Sequence, residues 1–375
     1  MENFIVSARK YRPDNFKSVV GQASITATLK NAIKNKQLGH AYLFSGPRGV
    51  GKTTCARIFA KTINCQNLSE SLEACNACES CTSFNENRAY NIHELDAASN
   101  NSVDDIRSLT EQVRIPPQVG KYSVYIIDEV HMLSAQAFNA FLKTLEEPPG
   151  HAIFILATTE KHKIIPTILS RCQIYDFNRI KTADSVEYLK YIAAEEKIEF
   201  EEEALHVIAQ KAEGAMRDAL SIFDQVVSFS EGKITYDSVI ENLNILNVEY
   251  YFKLTEIFQY GRVPAALLTL DEILGEGFDA RNFINGLASH FRDLLVAKNP
   301  ETTVLLDVGA SMQERYQKQA GEVPVEFLYN ALEICNETDL HFRNSKNQRL
   351  TIELALVKLS NLIEVQKKKQ VASQN

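Results

Sequence analysis

Gly46-Pro47-Arg48-Gly49-Val50-Gly51-Lys52-Thr53 fits the pattern G-x-x-x-x-G-K-[ST], and its flanks suit it. Before it lies His40-Ala-Tyr-Leu-Phe-Ser45, an apolar run of strand character, and after it Thr54-Cys-Ala-Arg-Ile-Phe-Ala-Lys61 has helical spacing. Glycines let such a loop wrap tightly, so that successive N–H groups point at the α- and β-phosphates of a nucleotide. Lys52 is then placed to reach the β- and γ-phosphates, the Thr53 hydroxyl to hold Mg²⁺, and the helix N-terminus to add its positive end. Strand, loop and helix in this order imply an α/β nucleotide-binding fold that takes a nucleoside triphosphate.

A second strand-like run, Tyr122-Ser-Val-Tyr-Ile-Ile127, ends in Asp128 and Glu129. A carboxylate at the end of a core strand beside a phosphate loop is placed for the Mg²⁺ shell. The next one, Glu129, is placed to polarise a water against the γ-phosphate. The run Ala152–Ala157 ends in Thr158-Thr159, where a hydroxyl can position that water or the γ-phosphate. On spacing alone, Arg171 in Ser170-Arg-Cys172 and Arg217 in Gly214-Ala-Met-Arg-Asp-Ala219 read as solvated arginines.

Around these motifs the chain divides by pattern. Apolar strand-like runs at 41–44, 124–127 and 152–157 alternate with helical segments over residues 1–180, which implies a parallel sheet buried on both faces. Helical periodicity then takes over. It predicts a small helical domain over 181–245 and a third, all-α domain over 246–366, with helices near 249–260, 263–274, 279–298, 323–340 and 346–366. Residues 367–375 read as a polar, disordered tail.

The composition is that of soluble globular protein, 45% hydrophobic and 23% charged over 375 residues. No run approaches the ~20 apolar residues of a membrane span, and the N-terminus lacks a signal-peptide plan. A cytoplasmic, reducing location is therefore expected, with no membrane partner. Net charge is −8, but residues 1–180 carry 20 Lys+Arg against 17 Asp+Glu (+3) and residues 181–375 carry 20 against 31 (−11). Contact with an anionic polymer is expected as a local patch in the N-terminal part.

In a reducing compartment the seven cysteines are not a disulfide framework. Cys65, Cys75, Cys78 and Cys81 fall within 17 residues, and four thiolates so gathered can close a structural Zn²⁺ site. Iron–sulfur ligation is the chemical rival, since thiolate spacing alone does not choose the metal. Cys55, Cys172 and Cys335 read as small buried apolar residues.

Taken together, these motifs resemble the gamma/tau family of bacterial sliding-clamp-loader ATPases. The resemblance runs from Ala8-Arg-Lys-Tyr-Arg-Pro13 and Phe16-Lys-Ser-Val-Val-Gly-Gln22 through the phosphate loop, the four cysteines and Ile127-Asp-Glu-Val-His-Met-Leu133. It continues in Phe138-Asn-Ala-Phe-Leu-Lys-Thr-Leu-Glu-Glu-Pro-Pro149, Leu156-Ala-Thr-Thr159, Ser170-Arg-Cys172 and Gly214–Leu220. It implies a P-loop AAA+ ATPase domain (1–180) with an inserted zinc module near 65–81, a helical lid (181–245) and an all-α collar (246–366). It also implies roles. Lys52, Asp128, Glu129 and Thr159, as first sensor, act on ATP, with Arg217 as second sensor and Arg171 as an arginine finger for the neighbouring subunit. Arg9, Tyr11, Pro13, Val20 and Gly21, with the loop through Thr54, would surround the nucleotide, and Arg107 and Lys143 would face DNA phosphates. Tyr11 stands where many relatives have Trp, and Asn100-Asn101 occupies a stretch that is often basic.

The implied activity is ATP-driven loading of the sliding clamp onto primer-template DNA during replication. The implied partners are other subunits of a hetero-oligomeric ring, the clamp and DNA backbone, with single-stranded DNA-binding protein as a further candidate. The alternatives are a non-hydrolysing structural subunit of the same ring and a related DNA-remodelling ring ATPase. No separate pair of carboxylates for nucleotidyl transfer is evident, so polymerase chemistry is expected in a partner subunit. The chain's end at 375 is expected to mark either a short form or a truncation of a longer chain, in both cases without the helicase- and polymerase-binding segments.

Overall fold

A computed structural model describes residues 5–230 and 232–372. The packing forms two compact units. The first takes in the chain up to Lys197 together with Ile208–Asp224, and the second takes in Ile198–Val207 and the chain from Gln225 onward.

The first unit opens with α1 (Ser7–Lys10) and α2 (Ala23–Lys34) and enters the sheet at β1 (Ala41–Ser45). There follow α3 (Lys52–Asn64), α4 (Glu79–Asn85), β2 (Ile92–Asp96), α5 (Val103–Gln112), β3 (Ser123–Asp128) and α6 (Ala135–Glu146). β4 (Ala152–Thr158), α7 (Pro166–Leu169), β5 (Gln173–Asp176) and α8 (Thr182–Glu195) complete it, with parts of α9 (Glu202–Lys211) and α10 (Met216–Phe229). All five strands are parallel, in the order β2-β3-β4-β1-β5.

Alternation along the central strands explains why their sequences are apolar without a break. Leu43, Tyr125, Ile127, Phe154 and Leu156 share one core with Ile106 and Leu109 of α5 and Phe138 and Phe141 of α6. Tyr42, Phe44, Val124, Ile126, Ile153 and Ile155 pack on the other face with Leu29 of α2 and Phe59 and Ile63 of α3. A strand covered by helices on both faces has no side to spare for polar residues. The helix starts are capped locally. Ser102 and Asp105 form a reciprocal capping box at α5, and the Ser134 side chain accepts from the Ala137 N–H at α6.

The second unit is helical apart from a two-residue pairing of Glu199–Phe200 with Lys233–Ile234. Its helices are α11 (Tyr236–Asn242), α12 (Val248–Gln259), α13 (Val263–Gly275), α14 (Ala280–Ala297), α15 (Ala310–Glu322), α16 (Val325–Phe342) and α17 (Gln348–Ala372). α14 is the centre, with Phe283, Ile284, Leu287, Phe291 and Leu294 fully buried against α16 and α17.

Two features depart from the sequence reading. α15 was not expected, because only Tyr316 and Ala320 of its 13 residues are buried. α17 continues to Ala372 instead of ending at 366, and residues 373–375 of the expected polar tail lie outside the described residues. Among the described residues no helix is long and apolar enough to cross a membrane.

Candidate nucleotide site and cysteine cluster

The nucleotide motifs converge at the carboxyl ends of β1, β3 and β4, where an open parallel sheet binds its ligands. The loop leaves β1 at Ser45. Its first residue, Gly46, has φ +149°, and an added Cβ would lie 2.3 Å from the carbonyl oxygen of Phe177. Gly49 (φ +77°) meets the GAMRDAL segment: an added Cβ would lie 3.0 Å from Cβ of Ala215, and the Arg217 N–H donates to Gly49 O at 3.4 Å. The loop is thus seated on α10 as well as on the sheet.

Lys52 is 6% exposed, and its Nζ donates to main-chain carbonyls, Gly46 O and Pro47 O, both at 2.8 Å. Burial pushes its pKa down, opposed by Glu129 and Asp128. Among the described residues no carboxylate hydrogen-bonds this buried ammonium. A phosphate oxygen fits that position.

The Thr53 hydroxyl donates to Asp128 Oδ2 at 2.6 Å. Adjacent oxygens in an octahedral Mg²⁺ shell stand about 2.9 Å apart, so this pair fits the cation with a small separation. Glu129 follows in a left-handed conformation, φ +48°. Its Oε2 accepts from the Thr159 N–H at 3.2 Å and the Thr159 hydroxyl at 2.9 Å. Thr159, read as positioning water or phosphate, here holds the neighbouring carboxylate.

The structure adds a residue that the motifs did not single out. Arg12 Nε donates to Thr54 Oγ1 at 3.1 Å, and its guanidinium is in electrostatic reach of Arg57, Glu94, Asp128 and Arg217. Partial desolvation first, then repulsion from Arg57, lowers its pKa. The only sequence signal was its place inside Ala8–Pro13. Elsewhere in that segment, Tyr11 donates its hydroxyl to Glu196 Oε1 at 2.5 Å and accepts from the Tyr188 hydroxyl at its carbonyl, 2.7 Å. Those bonds fasten it to α8. Val20 and Gly21 line an open cleft with Lys181, Asp184 and Tyr188, Arg9 is exposed, and Pro13 is half-buried.

Arg171 is not part of this cluster. β5 runs beside β1 with Asp176 opposite Ser45, and Arg171 lies in the turn before β5 begins at Gln173, at the amino end of the strand. There its guanidinium donates to Thr167 O at 2.6 Å and pairs with Glu146 at 2.7 Å. Arg107 on α5 and Lys143 on α6 are exposed on two helices that pack together.

The sulfur atoms of Cys65, Cys75, Cys78 and Cys81 lie within 4.8 Å of one another. Zn–S bonds of ~2.3 Å in a tetrahedron put sulfurs about 3.8 Å apart, so the four need only close slightly. The Cys75 N–H donates to Cys65 Sγ and the Cys78 N–H to Cys75 Sγ, each at 3.3 Å. Main-chain donors from Ala77 and Cys78 bring the Cys75 thiol down to about 6, whereas burial pushes Cys81 up. The donor set suits a thiolate-bound metal.

A parallel sheet in this order, a phosphate loop after β1 and an acidic end to β3 define an AAA+ P-loop ATPase fold with a helical lid and a C-terminal all-helical part. Residues 21–181 match the family described as DNA polymerase III, delta subunit. Residues 185–232 match the DNA polymerase III clamp loader subunit, ATPase lid domain, and 242–374 match DNA polymerase III subunits gamma and tau domain III. DNA polymerase III subunit gamma of Buchnera aphidicola subsp. Baizongia pistaciae is 34% identical over 96% of this chain and 98% of that protein. DNA polymerase III subunit tau of Bacillus subtilis is 42% identical over 94% of this chain and 62% of that protein. The gamma/tau subunit of Mycoplasma genitalium is 44% identical over 74% and 47%. The chain belongs to the DNA polymerase III gamma/tau family, and it spans about half to three-fifths of the length of two of these three relatives.

Proposed function

We propose that this chain is the ATP-hydrolysing motor subunit of a DNA polymerase III clamp loader, placing the sliding clamp on primed DNA during replication. The observation that carries the reading is the joint placement of buried Lys52, the Thr53–Asp128 contact and the Thr159-held Glu129 at one sheet edge. A subunit that merely filled a place in the ring would have no use for all of them.

In this reading the phosphate loop and Lys52 bind the β- and γ-phosphates, while the segment with Arg9, Tyr11, Pro13, Val20 and Gly21 lies against adenine and ribose. Thr53 and Asp128 would hold Mg²⁺, which would supply positive charge beside the phosphates. Glu129 takes a proton from water as the water oxygen bonds to the γ-phosphorus. The bond to the β–γ bridging oxygen breaks, and ADP and phosphate leave. Arg217 reports the γ-phosphate to the lid, and Arg171 completes a neighbour's site.

ATP-bound subunits form a spiral that grips clamp and DNA, and hydrolysis releases both. Arg107 and Lys143 hold DNA phosphates without reading sequence. Zn²⁺ on the four thiolates is structural, polymerase chemistry belongs to a partner, and the site of action is the cytoplasm. The test is ATP turnover by the reconstituted ring with and without clamp and primed DNA. Turnover rises with both present, and Lys52→Ala abolishes it; a Lys52→Ala ring that turns over at the wild-type rate ends the reading.

A further inference from the structure

Beside Glu129 lies a side chain that the proposed mechanism does not use. His131 is 8% exposed at its side chain, in a short helical turn after β3. Its Nδ1 stands 3.4 Å from Glu129 Oε2 and 3.1 Å from Thr158 Oγ1, and its Nε2 stands 3.4 Å from Glu160 Oε2. Thr158 is fully buried at the end of β4, and its hydroxyl accepts from the Glu160 N–H at 3.0 Å. Glu160 is held in turn by an ion pair with Lys163. The imidazole therefore spans the gap between the ends of β3 and β4, with a carboxylate on each side.

The geometry of Glu129 explains what such a bridge accomplishes. A left-handed backbone at a non-glycine residue is strained, so this conformation persists only where its surroundings impose it. Oε2 takes both Thr159 donors and faces His131 Nδ1, whereas among the described residues Oε1 takes no hydrogen bond. One oxygen is fastened and the other is left for water. A general base must sit within hydrogen-bond reach of the proton it takes, and a 1 Å displacement can cost about 10²-fold.

We propose that His131 is a positioning residue for ATP hydrolysis, hydrogen-bonded to Thr158 through Nδ1 and standing against Glu129 Oε2 so that Oε1 meets the attacking water, with Glu160 beside Nε2. The inference rests on Glu129 being the base, so the experiment tests the two separately.

Steady-state hydrolysis and fluorescent-ATP binding are measured for the full chain in its reconstituted ring, with thermal melting of each variant. Glu129→Gln comes first: retained turnover removes the base assignment and this inference with it. Given a dead Glu129→Gln ring that still binds ATP, His131→Ala is expected to lower kcat about 10- to 100-fold while KM and ATP affinity stay within about twofold. His131→Asn, whose side-chain amide sits near the place of Nδ1, recovers most of kcat; His131→Gln, which reaches toward Glu160, recovers less. Glu160→Gln gives a smaller loss of kcat at unchanged affinity. A His131→Ala ring within twofold of wild type overturns the inference, as does a rise in KM at constant kcat. Equal losses in the Ala, Asn and Gln variants, or losses that follow a common fall in melting temperature, make His131 packing only and overturn it as well.

Discussion

At Gly46 the missing side chain matters more than anything the residue contributes. The carbonyl oxygen 2.3 Å from an added Cβ belongs to the backbone of Phe177, which leaves the sheet beside β1 and cannot swing aside. Gly46→Ala should therefore destabilise the first unit by about 2 kcal/mol or more and weaken ATP binding, read by denaturant unfolding and fluorescent-nucleotide titration. His290 makes a different residue-scale case. It is buried, its Nδ1 faces the Tyr316 hydroxyl and its Nε2 faces Gln319 Oε1, each at 3.1 Å, and burial lowers its pKa to about 3. The folded chain keeps it neutral while the unfolded chain takes a proton near the ordinary value of 6.5. Stability from this residue is thus intact above about 6.5 and lost as pH falls toward 3. By pH 5 the loss is about 2 kcal/mol. Chemical denaturation at pH 7 and pH 5 should find that slope in wild type and a flatter one in His290→Gln. Legibility at this scale followed chain distance. Lys52, Thr53, Asp128 and Glu129 announced themselves by local pattern. Arg12 and His131 did not, because Thr54 and Glu160 meet them only after folding.

Elements were readable where burial was complete. β1, β3 and β4 lie inside the sheet and are apolar throughout, so their sequences stand out. The edge strands β2, Ile-His-Glu-Leu-Asp, and β5, Gln-Ile-Tyr-Asp, carry polar residues because one side of each is open, and the pattern of a buried strand is absent. The polar α15 escaped for the same reason. The cysteine segment has no helix or strand between Cys65 and Cys78. Glu73, two residues before Cys75, accepts from the Phe16 N–H at 2.9 Å and pairs with Lys30 at 2.6 Å. On the other side Phe84 lies under the guanidinium of Arg57, 4.9 Å from ring centre. The segment thus braces both the N-terminal stretch and α3. A structural metal should supply much of its folding energy. Elemental analysis should find about one zinc per chain in wild type and little in Cys75→Ser or Cys78→Ser. Those variants should also lose hydrogen-exchange protection at the Phe16 amide, and unchanged protection there would separate the metal from the N-terminal stretch.

For the whole molecule, the proposed role of Arg171 depends on where it is absent. It precedes β5, at the amino end of the sheet, whereas the phosphate loop follows the carboxyl end of the neighbouring β1. A contact with a γ-phosphate is therefore proposed to be with that of another subunit. Its partner Glu146 is half-exposed, and a solvent-exposed ion pair of this kind is worth about 0–1 kcal/mol. Release to reach a neighbour is therefore cheap beside the 10³–10⁵ in rate that an arginine finger can supply. Arg171→Ala should leave ATP affinity of the single chain and its basal turnover unchanged, yet lower clamp- and DNA-stimulated hydrolysis of the assembled ring about 10³-fold. Lys52→Ala should differ by losing activity in both settings. An Arg171→Ala chain whose isolated basal turnover falls as far as that of the ring would place the arginine in its own site, contrary to the register of β5.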